Sequence, residues 1–466
     1  MGTPRRQDAK KNAENTNETN LSVSSLASWR FGVPFVFLSA MILFSCSRPP
    51  PAASQSLKIV VSCDTDGWIV PCGCTANQSG GLPRRATFLD GLRRKDQVIY
   101  ADAGGASAGN SAYDRAKFEA ILAGEKLMGI TAHNLGRSEL AFGPIALRDI
   151  AARTNAPFVS ANAKATDGSL LAEPMRILTL AGRRIALVGV VSPSFASKGV
   201  VIDEPLHAIS DAISARRGQF DSLIVLAYLP LDELNKLASD LPEADAIIGG
   251  PTFQSVIPHP AGHVLLGAAT NKGKFVVSLH PPESAGGMWS GEVDELGPAF
   301  SDEIAQVQNI HDYLATLGRL DLSAADSGLA PAVPPDAPAN YRIAGSASCA
   351  SCHAAENTAW QNSKHAHAWQ TLVEKQFHVD SYCQQCHTTG YGLSGGFQSR
   401  AASMQRVDVG CENCHGPSLA HVNDPALRTP FNAFDQCLRC HDHENSPKFD
   451  ATTFWAAIQH GKGAKP

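Results

Sequence analysis

The sequence predicts an α/β domain followed by a smaller, mainly helical domain with a different kind of core. Between residues 57 and 322, short apolar runs alternate with helical stretches, which is typical of strands buried between helices. Residues 323–340 are rich in alanine and proline and are predicted to form an extended linker. Residues 341–466 hold eight of the twelve cysteines and ten of the sixteen histidines, with few aliphatic side chains.

The strands and helices of the first domain follow from its hydrophobic pattern. Helices are expected at 115–128 and 231–241, and an apolar stripe from Ile304 to Leu317 predicts a helix that packs back on the domain. The strand candidates are 57–61, 97–101, 130–135, 158–160, 184–191, 222–227, 246–249 and 275–279. With 39 basic and 44 acidic residues the formal net charge is −5, which makes nucleic acid an unexpected partner.

The N-terminus has the pattern of an export signal over residues 1–45. Basic residues precede an apolar run, 31–44, which is shorter than the roughly 20 residues that a membrane-spanning helix needs. Leu43-Phe44-Ser45-Cys46 resembles a bacterial lipobox, so Cys46 is expected to carry lipid, and 46–56 would be a spacer. An ordinary signal peptide or an uncleaved anchor is the alternative. The expected location is the periplasmic or cell-envelope face, with a lipid anchor in the membrane.

The cysteine-rich part contains four Cys-x-x-Cys-His motifs, the signature of covalent c-type haem. Both cysteines of each motif would bond one porphyrin, and the adjacent histidine would be the proximal iron ligand. Zinc knuckles or disulfides are the alternatives, but the histidine follows the second cysteine every time. The motifs are Cys349, Cys352 and His353; Cys383, Cys386 and His387; Cys411, Cys414 and His415; and Cys437, Cys440 and His441. Four c-type haems would then form the core of this domain.

Further histidines are candidates for the distal iron ligands. His365, His421 and His460 are the preferred choices. His367 lies in the same segment as His365, and His378 and His443 have less distinctive surroundings.

Three segments give residues 342–462 a family resemblance: 363–365, 411–417 and 454–460. They resemble the tetrahaem cytochromes c that accept electrons from hydroxylamine oxidoreductase. The resemblance implies stacked haems, mostly with two histidine ligands, redox partner proteins, and one haem that can lack a sixth ligand. Three distal candidates serve four haems, so the haem beside His387 is the expected open one.

Residues 57–282 resemble the metallophosphoesterase half of the 5′-nucleotidases, which implies a four-layer α/β sandwich. The matching segments are 64–67, 80–86, 101–105, 135–139, 160–162 and 248–253. That family hydrolyses phosphate esters with two bridged metal ions. Asp64 alone survives among the clear ligands, and Asp66, Asp102 and Glu139 are other residual positions. The family's ligand or catalytic residues are replaced by Asp66, Gly105, Arg137, Ser138, Tyr228, Pro251 and Phe253. Hydrolysis and a metal in this domain are therefore not expected, although the cleft could still bind a small molecule.

Three cysteines of the first domain remain, Cys63, Cys72 and Cys74. An odd number of thiols in an exported domain leaves one unpaired by disulfides. The two alternatives are a disulfide with a spare thiol, and a thiolate metal or redox site beside Asp64.

Taken together, the sequence predicts an exported, lipid-anchored tetrahaem electron carrier with a phosphatase-like domain for binding or docking. Two alternatives stay open. One is a haem enzyme that acts on a small nitrogen or sulfur species, and the other is a residual phosphoesterase or ligand sensor.

Overall fold

The structure, a computed structural model, describes residues 56–71, 78–284, 286–429 and 436–461. The predicted signal, Cys46 and nearly all of the spacer lie outside these ranges, as do Cys72 and Cys74. Within the described ranges, no helix has the length and hydropathy that crossing a membrane requires.

Fourteen strands are described, and all of them precede residue 296. In chain order they are β1 (Leu57–Ser62), β2 (Gln97–Asp102), β3 (Ile130–Asn134), β4 (Phe158–Val159), β5 (Ala163–Ala165), β6 (Met175–Leu180), β7 (Arg183–Val191), β8 (Val200–Ile202), β9 (Ser222–Tyr228), β10 (Ala246–Gly250), β11 (Val256–Ala261), β12 (Val264–Ala268), β13 (Phe275–His280) and β14 (Ser290–Glu295). The strands form two six-stranded mixed sheets, with strand orders β14-β13-β1-β2-β3-β4 and β11-β12-β10-β9-β7-β6. Strands β5 and β8 pair separately.

The longer helices belong to the same domain, and the C-terminal part has only short ones. The first group is α1 (Leu82–Arg93), α2 (Ala112–Leu127), α3 (Arg137–Ala141), α4 (Gly143–Thr154), α5 (Pro205–Ala215), α6 (Leu231–Asp240) and α7 (Ile304–Leu320). The second is α8 (Ser346–Cys349), α9 (Ala354–Gln361), α10 (Ala368–Glu374), α11 (Ser381–His387), α12 (Arg400–Ser403), α13 (Cys411–His415), α14 (Leu419–Asn423) and α15 (Ala451–Trp455).

Two hydrophobic clusters give the first domain its layers. One combines both sheets with α1, α2 and α7, through side chains such as Ile59, Leu187 and Leu314. The other packs α5 and α6 on the second sheet, through Ile209, Val225 and Leu237. The order of layers is therefore helix, sheet, sheet, helix, which confirms the predicted four-layer α/β sandwich.

A buried amide joins the two sheets. The Nδ2 group of Asn134, at the end of β3, donates to the carbonyl oxygens of Ala103, Val190 and Leu226 at 3.0, 2.8 and 3.0 Å. Val190 and Leu226 lie on β7 and β9 of the second sheet. The amide thus satisfies carbonyl groups in the interior that water does not reach.

All eight predicted strands are present, with bounds within two residues of those predicted. The predicted helices are present as α2, α6 and α7. Six further strands were not predicted, namely β5, β6, β8, β11, β12 and β14. Residues 323–340 contain neither helix nor strand. Ala324 and Ser327 of this segment are nevertheless buried, and the Ser327 hydroxyl is hydrogen bonded to Tyr391 at 2.9 Å.

Candidate functional site

The Cys-x-x-Cys-His motifs lie on or beside short helices. The second motif falls on α11, the third forms α13, and Cys349 of the first ends α8. Most of the fourth motif, 437–441, lies in turns. Residues three apart lie on one face of a helix, so both cysteines of a motif can reach the same porphyrin.

The motifs are grouped in two pairs by their thiols. Cys349 of the first motif and Cys411 of the third are in hydrogen-bond contact. Cys386 of the second and Cys440 of the fourth are in the same kind of contact. Motifs far apart in the sequence are therefore neighbours in space.

In three places, the imidazole of a motif histidine lies close to the imidazole of a histidine outside the motifs. The ring centres are 6.2 Å apart for His353 and His421, 6.2 Å for His365 and His441, and 6.0 Å for His415 and His460. Two imidazole nitrogens each about 2.0 Å from one metal ion, with ring centres about 1.1 Å further out, put the centres roughly 6 Å apart. Each pair joins one motif histidine to one further histidine at the spacing of two axial ligands, so the residues present fit haem iron.

Hydrogen bonds at Nδ1 orient several of these rings. His421 and His460 contact the carbonyl oxygens of Leu427 and Ile458 at 2.7 and 2.8 Å. The Nδ1 of His441 is 3.0 Å from the Ser446 hydroxyl. A proton on Nδ1 leaves the Nε2 lone pair for a metal, which is the usual arrangement of a ligating histidine.

His387, the histidine of the second motif, differs from the other three motif histidines in its surroundings. Its ring is also oriented through Nδ1, which lies 2.7 Å from the Ala368 carbonyl oxygen. Every histidine of the chain falls in the described ranges, and none of their rings faces His387 at the 6 Å spacing of the three pairs. The nearby His378 instead packs its ring against Trp369, with centres 6.0 Å apart.

In the α/β domain, Asp64 and Asp66 follow β1 in left-handed backbone conformations, with φ of 55° and 50°. The carboxylate of Asp64 accepts hydrogen bonds from Tyr228 Oη at 3.2 Å and Thr270 Oγ1 at 2.7 Å. Burial raises the pKa of Asp64, and burial together with the Asp64 charge raises the pKa of Asp66 to about 7. The Lys272 charge opposes both pKa shifts.

Gly105 stands where the resembled family has its bridging carboxylate, and the space beside it is filled. A Cβ atom at position 105 would lie 2.5 Å from the Tyr228 ring and 3.0 Å from Asp64 Oδ1. Arg137, at a second ligand position, is exposed, and so is Phe253. Because Tyr228 occupies the space that a bridging aspartate would need, these residues do not fit a two-metal centre.

Cys63 is fully buried, and its thiol lies 3.5 Å from the Gly104 carbonyl oxygen. Burial, assisted by the Asp64 charge, raises the pKa of Cys63 well above its ordinary value. A thiol in this environment stays protonated, which disfavours it as a nucleophile or metal ligand.

The two other residual positions lie in the interior. Asp102 and Glu139 are both fully buried. Glu139 accepts hydrogen bonds from the backbone amides of Gly105, Ala106, Ser107 and Gly136. Of the four residual positions, Asp64 and Asp66 thus lie together after β1, while Glu139 holds the loop after β2.

A buried carboxylate joins the two parts of the chain. Asp380 accepts hydrogen bonds from Tyr113 of α2 at 2.7 Å and from Tyr313 of α7 at 3.4 Å. It also caps α11 by accepting from the Tyr382 amide at 2.8 Å. The Trp68 and Tyr382 rings meet edge to face, with centres 5.7 Å apart. The helix that carries the second motif is therefore fixed at its first turn by the α/β domain.

An ion pair and a cation–π contact complete this junction. Lys272, close to the loop that holds Asp64 and Asp66, forms an ion pair with Glu444, which follows the fourth motif. The same ammonium lies 5.0 Å from the centre of the Trp68 ring. No sequence motif indicated these contacts, because their partners are far apart in the chain.

The C-terminal part matches a known family. Residues 348–416 fit the sequence model of cytochrome c554 and c-prime. The chain is 28% identical over 135 residues to cytochrome c-554 of Nitrosomonas europaea, and the match covers 21% of this chain and 57% of that protein. The C-terminal part resembles cytochrome c554. The family match spans the first three Cys-x-x-Cys-His motifs, which are the signature of covalent haem attachment.

Two solved structures from one organism are similar to more than half of this chain. A 5′-nucleotidase precursor from Thermus thermophilus is 22% identical with a TM-score of 0.49, over 57% of this chain and 59% of that one. The sulfate thiohydrolase SoxB, also from Thermus thermophilus, is 15% identical with a TM-score of 0.50, over 59% of this chain and 62% of that one. At 15% identity, the similarity to SoxB concerns the fold alone.

The Asp380 junction predicts a coupled loss of stability. Asp380→Ala removes a helix cap and two buried hydrogen bonds, so it should lower the free energy of unfolding by about 3 kcal/mol. Tyr113→Phe should cost about 1 kcal/mol, and the double variant should cost less than the sum. Guanidinium unfolding of the haem-loaded full-length protein measures these values, with the exposed Asp424→Ala as control. If the losses of unfolding free energy in the two single variants added exactly in the double variant, the two side chains would not interact, and the proposed junction would be contradicted.

Proposed function

We propose that the protein is an exported tetrahaem electron carrier whose phosphoesterase-like domain is a non-catalytic docking scaffold. The observation that carries the proposal is the set of three imidazole pairs with ring centres 6.0–6.2 Å apart. The haem iron supplies reversible one-electron exchange. The protein supplies four attachment motifs and the side chains that orient the iron ligands.

We assign the axial ligands from these pairs. His353 and His421 would hold the first iron, His415 and His460 the third, and His441 and His365 the fourth. The thiol contacts between motifs one and three, and between motifs two and four, support two groups of adjacent haems. Closely grouped centres favour rapid exchange of electrons within the domain.

The second iron would have His387 as its protein ligand and an open opposite face. This arrangement supports the alternative function, an enzyme acting on a small nitrogen or sulfur species, because an open iron can bind such a molecule. The carrier and the enzyme differ in whether a small molecule is consumed. We favour the carrier because three of the four irons would be closed by two histidines.

For the α/β domain, we infer loss of hydrolysis from the packing of Tyr228 beside Gly105. Without a bridging carboxylate at position 105, two cations cannot be held around a nucleophilic water. The contacts of Asp380, Trp68 and Lys272 with the haem-binding part support a scaffolding role. A small-molecule ligand in the Asp64 loop region remains part of this proposal.

The proposed location outside the cytoplasm is supported by the likeness to cytochrome c-554 and by the N-terminal sequence. A lipid on Cys46 would anchor the protein to a membrane surface. Replacement of Cys46 by alanine should then release the protein from the membrane fraction, with Cys63→Ala as a control that stays bound. Equal membrane retention of both variants would refute the lipid anchor.

The ligand assignment predicts a difference between two neighbouring histidines. His365→Ala should convert one low-spin haem per chain to high spin, because it opens the fourth iron. His367→Ala should leave the spectrum unchanged, since its Nε2 contacts the Gln361 carbonyl oxygen at 3.1 Å. Electron paramagnetic resonance gives the spin states, and intact mass should show four haems in both variants. A spin change only in His367→Ala, or two or fewer haems, would be inconsistent with the assignment.

The open second iron predicts selective binding of a small ligand. In the fully reduced protein, one haem in four should bind carbon monoxide, because the other three irons have two imidazoles. A redox titration with and without carbon monoxide should accordingly shift one of the four potentials. Binding at no haem would contradict an open site, and catalytic consumption of hydroxylamine or sulfite would favour the enzyme.

From the packing of Tyr228 beside Gly105, we predict that the full-length protein does not hydrolyse 5′-nucleotides or bis(p-nitrophenyl) phosphate. Mn²⁺, Zn²⁺ or Co²⁺ should not restore the reaction, since Tyr228 fills the space of the missing carboxylate. Turnover in the usual enzyme range of about 1–1000 per second would overturn the non-catalytic role.

A further inference from the structure

A second cluster of potential metal ligands lies in the interior of the α/β domain, outside the loop that holds Asp64 and Asp66. Asp102 ends β2, Glu125 lies on α2, and His133 lies on β3. All three residues are fully buried. Each can offer one ligand atom, and these three atoms lie within 4.8 Å of one another. Of these residues, only Asp102 belongs to a segment that resembles the phosphoesterase motifs.

Two of the polar atoms in this cluster lack a partner. Glu125 Oε1 and His133 Nε2 are buried, and neither has a hydrogen-bond partner in the described part of the chain. The other atoms of the two groups meet each other, since His133 Nδ1 lies 2.8 Å from Glu125 Oε2. The two ring nitrogens lie on opposite edges of the imidazole, so an ion shared with Glu125 would bind His133 at Nδ1, in place of the proton of this hydrogen bond. Buried polar atoms are usually paired, so the unpaired Glu125 Oε1 on this side of the ring indicates a missing partner.

The charges around the cluster are also unbalanced. Glu139 Oε1 lies 4.0 Å from His133 Nε2, which adds a third carboxylate. A guanidinium that acts on both Asp102 and Glu125 belongs to the fully buried Arg85. Metal ligation requires a neutral His133, and three carboxylates and one guanidinium then leave two negative charges. Without an ion, the charge and hydrogen bond of Glu125 outweigh burial and raise the pKa of His133 to about 9, so a proton on the imidazole offsets one of them. Either one divalent cation or two protons would neutralise them.

We propose that Asp102, Glu125 and His133 bind one divalent first-row transition-metal ion in the interior of the α/β domain. One imidazole and two carboxylates are ligands that Zn²⁺ and Mn²⁺ accept, whereas Cu⁺ prefers sulfur. Bond lengths of about 2.0–2.2 Å place the ligand atoms of a tetrahedral site roughly 3.3–3.6 Å apart, so atoms separated by as much as 4.8 Å would have to approach by about 1 Å or more. With no exposed ligand, the ion would stabilise the fold and take no part in turnover. The site shares Asp102 with the residual phosphoesterase positions, but Glu125 and His133 belong to none of the segments that resemble that family.

The test uses the haem-loaded full-length protein. After exhaustive treatment with EDTA, it is analysed by mass spectrometry for zinc, manganese, cobalt, nickel and iron, with haem counted spectroscopically. We expect about one non-haem metal ion per chain, which unfolding in guanidinium releases to a chromogenic chelator. The buried ligands explain why EDTA does not remove the ion from the native protein. A folded protein with less than about 0.2 ion per chain would overturn the proposal and assign the missing charges to protons.

Two variants on one helix locate the ion. Glu125→Gln should lose it, whereas Glu119→Gln on the same helix should keep it, because Glu119 pairs with Arg115 and Arg153 near the surface. X-ray absorption at the metal edge of the wild-type protein should show only nitrogen and oxygen ligands. Sulfur ligands, or full metal content in folded Glu125→Gln, would refute this site and point to the thiols of Cys72 and Cys74. Should Glu125→Gln fail to fold, the wild-type count and absorption spectrum still decide.

Discussion

Among the described residues, the part of the chain with the Cys-x-x-Cys-His motifs builds only one small apolar cluster of its own side chains, and its geometry depends on that constraint. After residue 340, the buried apolar residues among those described are Ile343, Ala368, Trp369, Leu372, Tyr391 and Phe397. The helices there have four to eight residues, too short to be stable without packing. Flat macrocycles bonded to eight cysteines would provide the missing apolar surface. The three imidazole pairs at metal-ligand spacing are consistent with a fold arranged around that cofactor.

The α/β domain supplies the second support of this arrangement. Asp380 caps the helix of the second motif and accepts hydrogen bonds from Tyr113 and Tyr313. The apolar side chains of Phe377, Val379 and Tyr382 pack on the main core of the α/β domain. The motif around His387 is thus held by the neighbouring domain as well as by its own segment. Through these contacts, the α/β domain contributes to the position of the second Cys-x-x-Cys-His motif.

The elements that could be predicted from the sequence are those whose signal is local. Strands such as β1 and β9 are buried along nearly all their length, so they appear as continuous apolar runs. Strands β11 and β14 are partly exposed, and their pattern is not continuously apolar, so they were not predicted. Strand β12 is an exception, because it is a fully buried apolar run and was not predicted either. The Cys-x-x-Cys-His motifs are equally local. The contact between Tyr113 and Asp380 joins residues 267 positions apart, and no spacing rule could reveal it. The meeting of Glu125 with His133 depends on the packing of α2 against β3, so no local pattern could indicate it either.

The two carboxylate clusters of the α/β domain differ in the groups that offset the free-energy cost of burying a carboxylate. In the first cluster, the hydroxyl groups of Tyr228 and Thr270 donate hydrogen bonds to the two carboxylate oxygens of Asp64. Its burial is therefore compensated by neutral donors, and no cation is needed. Glu125 has no such donor for Oε1 among the described residues, and the lone pair or proton of His133 Nε2 is equally unmatched. Since both clusters lie in one domain, the contrast cannot be attributed to a general difference in packing. It follows from the identity of the neighbouring side chains, with hydroxyl donors beside Asp64 and mostly further acids beside Glu125.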